Sequence, residues 1–297
     1  MMTPSCRKRF GSFATVLLST ALLSTAASNA AASNAAASNA TASNATAAEA
    51  TATKPVTATY EVYFGGFHVL NAEATLENGG ERYRVTAAAE TQGFLSWFTS
   101  WKGETESVGR VDPDRIVPQW HDNRGTLDDL ERIVTLRYDD EGNIIESEAV
   151  PEQDWEGRHP LPEDAGKGTL DPLSVIAGIA QLLQNGGACE GRFAVFDGRK
   201  RYDLKVADAG TKTLEPNSYS IFDGVARGCQ VDYEMLGGHR IERNKYAATA
   251  RERIIWVARP AADAPLIPVR LQIETGYGTV MGHLTGYSLD GQPPLTD

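Results

Sequence analysis

The sequence predicts a mainly β fold: a curved antiparallel meander that forms an open or spiral β-barrel, with one internal helix plugging it. Short segments of alternating polar and apolar residues recur through residues 57–287, and glycine- and asparagine-rich turns separate many of them. One apolar helical segment interrupts the series. A flat open sheet of so many strands would leave long unpaired edges, so we expect the sheet to curve into a barrel.

The strands fall into two groups on either side of a loop. Residues 151–168 contain three prolines and show little periodicity, which predicts the loop. Gly65-Gly66 and Asp139–Gly142 are typical of hairpin turns. The predicted strands are Thr57–Phe64, Val69–Leu76, Tyr83–Ala89, Gly103–Val111, Ile116–Asn123, Arg132–Tyr138, Asn143–Ser147, Arg192–Phe196, Arg201–Val206, Cys229–Leu236, Arg253–Ala258, Val269–Thr275 and Thr279–Tyr287.

The one long helix is predicted over Leu173–Gln184. Asp171 is a favoured N-cap residue, Pro172 is a favoured first helical residue, and Gly186-Gly187 ends the segment. Apolar side chains occupy nearly every face of this helix, and it is too short to cross a bilayer. We therefore expect it to be buried inside the curved sheet.

An aromatic insert, Gly93–Trp101, lies between two predicted strands, where a polar turn is usual. Its aromatic side chains are spaced as on one face of a short helix. The insert either folds back to cap the barrel core, or lies near an opening and contacts a lipid, a ligand or a membrane surface, or binds a protein partner. The candidate ligand or interface residues are Phe94, Leu95, Trp97, Phe98 and Trp101.

The N-terminal 54 residues are predicted to be a targeting sequence followed by a spacer. Arg7, Lys8 and Arg9 precede the apolar stretch Phe13–Leu23, which is too short to span a bilayer, and small residues follow it. Repeats of Ala-Ala-Ser-Asn-Ala come next and cannot form a core. We assign residues 1–30 to a signal peptide, 31–54 to a disordered spacer, 55–290 to a single β-barrel-like domain and 291–297 to a flexible tail. The mature protein is expected to be exported and soluble, with no transmembrane span after signal cleavage.

The charge of the chain excludes one class of partner. The 297 residues carry a formal net charge of −11, and 41% of them are hydrophobic, which suits a globular protein. A nucleic-acid groove needs a basic face that replaces phosphate counterions, so no nucleic-acid partner is expected.

Cys189 and Cys229 are the two cysteines that remain once the predicted signal peptide, with Cys6, is removed. An even count in an exported protein predicts one structural disulfide between them. A redox pair would need a Cys-x-x-Cys motif, and a zinc site would need further ligands nearby, so both alternatives are weaker.

Motifs that carry chemistry are absent from the sequence. No nucleophile elbow, phosphate-binding loop or zinc-protease motif occurs. Trp120-His121-Asp122 contains catalytic residue types, but adjacent residues on a strand point to opposite faces, so His121 and Asp122 are not expected to pair. We therefore predict no catalytic residues, no metal and no cofactor, while a triad built from distant positions stays open.

A basic run follows one of the predicted turns, in the segment Phe196–Arg201. Asp197 is expected to hold this turn through its side chain, with Gly198 at a positive φ. The cations that begin at Arg199 either bind a phosphate or an acidic head group, or form a solvated strand edge that opposes aggregation.

These features together resemble the proteobacterial periplasmic domain-of-unknown-function family 3108. The resemblance rests on the aromatic insert, the segment Gly168–Ser174, the turn Val195–Arg199, the two cysteines and Pro268–Arg270, in that order. It implies a Gram-negative periplasmic protein without an assigned enzyme activity. By analogy, the layout also looks like periplasmic carriers of lipoproteins, in which a helix closes a curved sheet, although fold alone does not give function. The family-motif residues are Asp171, Pro172, Phe196, Asp197, Gly198 and Arg199.

The leading functional hypothesis is a non-enzymatic protein of the cell envelope that binds an apolar ligand, such as a lipid or acyl chain, or supports envelope assembly. Export, the aromatic insert and the apolar helix favour it. The first alternative is a structural protein with a filled core that binds an envelope protein as its partner. The second is an envelope hydrolase whose triad cannot be read from the sequence.

Overall fold

The computed structural model describes residues 53–78, 80–184, 186–242, 252–262 and 264–291. The predicted signal peptide, most of the predicted spacer and residues 292–297 of the predicted tail lie outside the described residues. The first strand begins at Thr53, two residues before the expected start of the domain.

Thirteen strands form where the alternating segments predicted them, and several run further at their ends. Alternation of polar and apolar side chains over much of these segments favours extended backbone, and the prediction of a mainly β fold is confirmed. The strands are β1 (Thr53–Phe64), β2 (Phe67–Asn78), β3 (Arg82–Thr91), β4 (Trp101–Val111), β5 (Ile116–Leu127), β6 (Leu130–Tyr138), β7 (Ile144–Val150), β8 (Gly191–Phe196), β9 (Arg201–Leu214), β10 (Gly224–Gly237), β11 (Arg253–Ala258), β12 (Ile267–Thr275) and β13 (Gly278–Leu289). One α-helix, α1 (Pro172–Gln184), and a 3₁₀ helix, Gly93–Trp97, complete the described elements.

All thirteen strands belong to one antiparallel sheet, in the order β7-β6-β5-β4-β3-β2-β1-β13-β12-β11-β10-β9-β8. Each strand pairs with its neighbours in sequence except at two places: β1 pairs with β13, and β7 does not pair with β8. The sheet is therefore a curved meander with two edges, β7 and β8, and the chain between these edges carries α1.

The segment before α1 covers the seam between the two edges. Leu170 pairs with β8 through both its amide and its carbonyl, and the Ile144 amide of β7 donates to the Gly166 carbonyl at 3.1 Å. Phe196 of β8 also packs in one cluster with buried side chains of β6. The two edges thus meet through this segment and through side chains. This covers backbone groups along the edge strands β7 and β8 that would otherwise be unpaired.

Helix α1 lies against the inner face of the sheet, as predicted for a plug. Leu173 and Ala177 pack with side chains of β3 and with Ile116 of β5. Near the C-terminal end of the helix, Leu183 packs with Val206 of β9 and Val257 of β11. Most of the helix is buried, and Ile176 is its large exposed side chain. Because apolar residues lie nearly all round the helix, burial inside the sheet is its most stable position.

The predicted disulfide is confirmed. Cys189, just after α1, is bonded to Cys229 on β10, and both cysteines are buried. Leu183, Val206 and Val257 pack around the bond, which fixes the end of α1 to the sheet.

Candidate functional site

A polar network surrounds the start of α1 inside the sheet. Asp171 is fully buried and accepts hydrogen bonds from the amides of Leu173 (3.0 Å) and Ser174 (2.9 Å), so it caps the helix. Its carboxylate also accepts hydrogen bonds from the hydroxyls of Ser174 and Ser107, the latter at 2.5 Å. Nδ1 of His121 lies 2.8 Å from Ser107 Oγ and 3.3 Å from Asp171 Oδ1. Since Ser107 gives its hydrogen to Asp171, the Nδ1–H of His121 is the donor to Ser107.

This network has the residue types of a hydrolase triad but not its geometry. In a triad the carboxylate and the nucleophilic hydroxyl contact opposite nitrogens of the imidazole. Here Ser107 and Asp171 both lie against Nδ1 of His121, and all three side chains are buried. The network therefore positions α1 against β4 and β5.

The ionised form of Asp171 is stabilised by its neighbours in the network. Burial opposes ionisation of Asp171, but His121 and the hydrogen bonds from His121, Ser107 and Ser174 outweigh it and hold the pKa of Asp171 below its ordinary value. Tyr83 donates to Ser174 Oγ at 2.6 Å, and burial together with the Asp171 charge raises the pKa of Tyr83. The network thus stabilises one ionised carboxylate in the interior.

Asp122 does not pair with His121, as the strand geometry predicts. Its carboxylate accepts a hydrogen bond from Thr135 Oγ1 at 2.8 Å and forms an ion pair with Arg137 at 3.4 Å. The residue that pairs with His121 is Asp171, which lies 50 positions further along the chain than His121.

The predicted helical face of the aromatic insert is wrong at its C-terminal end. The helix is 3₁₀ and covers Gly93–Trp97 only, whereas Trp101 is the first residue of β4. The Trp101 amide donates to Thr91 Oγ1 at 3.0 Å, so strand pairing resumes before an α-helix can extend. Trp101 therefore does not share a face with the other aromatic side chains.

Three side chains of the insert point to solvent instead of capping the core. The exposed fractions are 43% for Phe94, 84% for Trp97 and 62% for Phe98, and Phe67 from the start of β2 is 63% exposed. The Phe94 ring lies 5.4 Å from that of Phe67 and 6.5 Å from that of Phe98, both edge to face. We call these four residues the aromatic rim. Leu95 is half-buried beneath them.

Small residues line the inner face of the sheet beneath the aromatic rim. Trp101 turns inward, and its indole lies over Gly103, 2.9 Å from the position that a Cβ would take there. Alanines of β2 and β3 occupy the neighbouring inward positions, on the same face as the residues that contact α1. These alanines are Ala72, Ala74, Ala87 and Ala89, and none of them is fully buried. The inner wall that β2 and β3 form at this end of the sheet is therefore apolar and partly accessible.

The β8–β9 turn has a local geometry that its sequence explains. Asp197 Oδ1 accepts hydrogen bonds from the amides of Arg199 (2.9 Å) and Lys200 (2.6 Å), and Gly198 has a φ of +81°. A side chain at Gly198 would overlap Val134 of β6, so this glycine allows the turn to approach the other edge of the sheet.

The prediction of a solvated basic edge is wrong for this turn. Arg199 donates hydrogen bonds to the carbonyls of Val150 (3.0 Å) and Pro151 (2.9 Å), and Lys200 is partly buried. Arg201 forms an ion pair with Asp203 at 2.7 Å. The turn is packed against the loop that follows β7, because the two edges of the sheet meet there.

An open groove of about 420 Å³ lies at the other end of β4 and β5 from the aromatic rim. Its wall includes Arg115, Ile116, Gln181, Arg192 and Phe193, so both charged and apolar side chains line it. Across the parts of the chain that the structure describes, no three His, Cys, Asp or Glu side chains converge so as to hold a metal ion. Nor does any helix among them have the length and apolar character to cross a membrane.

Sequence reasoning missed several residues that the fold brings to these places. Phe67 directly follows the Gly65-Gly66 turn, and an aromatic residue at a hairpin tip is a signal of exposure. Arg132 occupies an inward position of β6, which the alternation of that strand could have revealed. Ser107 carries no local signal, since its partners His121 and Asp171 come from distant elements.

The comparisons with known proteins give a family, and they include a solved structure that is similar. The model of a family described as "Protein of unknown function (DUF3108)" matches residues 59–285. A crystal structure of a beta-barrel-like protein of domain of unknown function DUF1849 from Brucella abortus is similar, with a TM-score of 0.47 and 12% sequence identity, covering 80% of this chain and 99% of that chain. No curated protein matches the chain.

Proposed function

Because this chain belongs to the DUF3108 family of proteins of unknown function, we propose its role from its own surface: it binds an apolar ligand, a lipid or acyl chain, at the aromatic rim. The observation that carries this proposal is the exposure of Trp97 and Phe98 beside Phe67 and Phe94. Single exposed apolar residues are common on proteins, whereas four adjoining aromatic rings at one end of a sheet mark a binding surface.

The rim supplies enough apolar area for reversible lipid contact. Burying one exposed aromatic side chain contributes about 1.5–3 kcal/mol, so two or three rings contribute roughly 5 kcal/mol before the cost of association. A single acyl chain attached to a protein gives reversible binding to a bilayer with a similar free energy. Tryptophan and phenylalanine are also the side chains that suit the boundary between head groups and hydrocarbon.

The inner face of β2 and β3 beneath the rim offers an apolar wall against which an acyl chain can pack. The partly accessible alanines of β2 and β3 extend from Trp101 toward the N-terminal end of α1, and their side chains are methyl groups without polar atoms. An apolar wall with few polar groups is typical of sites for small apolar ligands.

Two features support a location of the protein in the cell envelope. The disulfide Cys189–Cys229 is typical of oxidising compartments, such as the bacterial periplasm. The predicted signal peptide directs export. We therefore propose a periplasmic, non-enzymatic lipid-binding protein.

Binding of a fluorescent fatty acid and native mass spectrometry of gently purified protein test this proposal. The wild type should bind the probe and retain lipid, and the double variant Trp97→Ser/Phe98→Ser should bind more than tenfold more weakly. The matched control is Ile145→Ser/Val225→Ser, which removes two equally exposed apolar side chains at the other end of the sheet (69% and 67% exposed). A wild type that binds no probe and carries no lipid would contradict the proposal.

A further inference from the structure

Five cations gather where the two edges of the sheet meet, at the end that carries the aromatic rim. They come from four separate segments: the start of β6, the loop after β7, the β8–β9 turn and the segment after β10. We call them the cation cluster. Its members are Arg132, Arg158, Arg199, Lys200 and Arg240.

Backbone pairing holds the two loop segments of the cluster together. The amide of His159 donates to the His239 carbonyl at 2.9 Å, and the amide of Gly238 donates to the His159 carbonyl at 2.9 Å. This places Arg158 opposite Arg240 in an antiparallel bridge. Two arginines are therefore fixed side by side, although like charges directly opposite each other are destabilising.

The β8–β9 turn packs onto the same pair of segments. A Cβ at Gly238 would overlap the Arg199 carbonyl, and Gly238 has a φ of +78°, so a glycine is required at this contact. The Gly238 carbonyl accepts a hydrogen bond from Arg158 Nη1 at 2.9 Å. Gln153 bridges the Arg199 and Gly238 carbonyls at 3.5 and 3.3 Å.

Carboxylates are fewer than cations around the cluster within the described residues. None of its five members forms an ion pair there within 4 Å, whereas Arg192 and Arg201 of the adjoining strands both pair with Asp203. Two carboxylates attract members of the cluster from beyond that distance: Asp197, which accepts the two amides of its own turn, acts on Arg199 and Lys200, and Asp154, which accepts the Glu156 amide at 3.0 Å, acts on Arg158.

The cations also repel one another. Burial is the main cause that lowers the pKa of Arg158, Arg199 and Lys200 below the ordinary values, and repulsion from other members of the cluster adds to it; Arg132 contributes to this repulsion at all three. Asp154 and Asp197 oppose the shift only in part. Converging, partly buried positive charges that outnumber the carboxylates around them favour a counter-anion.

The cation cluster adjoins the aromatic rim. The β5–β6 turn, which leads into Arg132, is fixed to the end of the aromatic insert by two hydrogen bonds: Asp128 N to Ser100 O at 2.8 Å, and Ser100 N to Asp128 Oδ1 at 2.9 Å. The same end of the sheet therefore presents an apolar surface and, beside it, a positive one, on a chain whose net charge is −11.

We propose that the cation cluster is a binding site for an oxyanion, a phosphate or carboxylate group, that belongs to the ligand held at the aromatic rim. This inference rests on the proposed lipid binding and specifies its ligand as an anionic amphiphile. Guanidinium groups match phosphate and carboxylate oxygens in geometry, which favours these anions over a halide.

The test compares vesicles of neutral phosphatidylcholine with vesicles that also contain anionic phosphatidylglycerol. The wild type should prefer the anionic vesicles, and Arg132→Gln/Arg240→Gln should lose about 30-fold of that preference while it still binds neutral vesicles. Neither Arg132 nor Arg240 has an ion pair in the described structure, so this variant is expected to fold. The control Arg82→Gln/Lys167→Gln removes two exposed charges at the opposite end of the sheet and should keep the preference.

The outcomes separate this inference from the proposed function. Equal binding of the wild type to both vesicles, together with no saturable binding of inorganic phosphate, would overturn the anion site and leave lipid binding at the rim intact. Loss of all vesicle binding in Trp97→Ser/Phe98→Ser tests the rim alone. Calorimetry with inorganic phosphate is the second arm. Saturable phosphate binding that Arg132→Gln/Arg240→Gln abolishes would support the anion site with a free anion as its source, even without a vesicle preference.

Discussion

Replacement of Asp171 by alanine should be among the most damaging single changes in this protein. The carboxylate caps α1 through the amides of Leu173 and Ser174, and it accepts the hydroxyl hydrogens of Ser107 and Ser174. The variant leaves these donors without an acceptor in a site that water does not reach. It also leaves His121 without its anionic neighbour.

The magnitude follows from these contacts. Loss of an N-cap costs about 1 kcal/mol, and each buried hydroxyl left without its partner costs about 1–3 kcal/mol. Asp171→Ala should therefore lower the free energy of unfolding by roughly 3–6 kcal/mol. For a domain of this size, the melting temperature should fall on the order of 10 °C.

Equilibrium urea denaturation, followed by circular dichroism, measures this change. The matched control is Asp122→Ala, which removes a neighbouring carboxylate that is partly exposed and bound to Thr135 and Arg137. The control should cost about 1 kcal/mol or less. Equal midpoints for the two variants would refute the argument that the buried network holds α1 in place.

The same carboxylate predicts how stability depends on pH. Folding lowers the pKa of Asp171 from its ordinary value of 3.8, so its ionised form contributes stability that is fully present above that value and is lost as the pH falls through the lower folded-state pKa. The stability difference between the wild type and Asp171→Asn should be constant above about pH 5 and should shrink below about pH 4. A difference that grows on acidification would contradict the assigned charge.

Two further perturbations test the fold around the site. Cys189→Ser should lower the free energy of unfolding by about 2–5 kcal/mol, and the reduced wild type should match this variant in thermal denaturation. Two free thiols in protein purified without reductant would contradict the bond. Gly198→Ala should cost about 2–4 kcal/mol because its φ of +81° and the overlap with Val134 both penalise a Cβ, whereas Gly168→Ala, with a φ of +59° and open space around it, should cost about 1 kcal/mol. Similar losses for both glycines in urea denaturation would mean that the turn does not pack tightly against β6.

The sequence predicts the strands and α1 well because their signals are local. Alternation with a period of two residues marks each strand, and Asp171-Pro172 and Gly186-Gly187 mark the ends of the helix region. The disulfide follows from counting cysteines outside the predicted signal. The order of strands in the sheet follows from short turns, which join antiparallel neighbours.

The aromatic insert shows where local patterns mislead. Spacing at i, i+3, i+4 and i+7 fits an α-helix, yet Trp101 belongs to β4 because pairing with β3 begins there. A short 3₁₀ helix satisfies the same spacing for its first residues. The exposure of Trp97 depends on what packs against it, which no local pattern contains.

The polar network and the cation cluster could not be predicted because their members are distant in sequence. Ser107 and Asp171 are 64 residues apart, and they meet only because α1 enters the curved sheet. Arg158 and Arg240 meet because two loops pair across the seam. Such sites depend on topology, and the sequence offers only the residue types.

The most direct test of lipid contact at the aromatic rim is ¹⁹F NMR of protein labelled with 5-fluorotryptophan, titrated with spin-labelled fatty acid. Trp97→Phe assigns one resonance, and a water-soluble gadolinium chelate separates simple exposure from lipid contact. The lipid label should broaden the Trp97 resonance first and leave the buried Trp256 sharp, while Trp120, which is half-buried on β5 away from the rim and beside Arg137, responds only to the chelate. Equal broadening of Trp97 and Trp120 by the lipid label, or none at either, would contradict lipid binding at the aromatic rim.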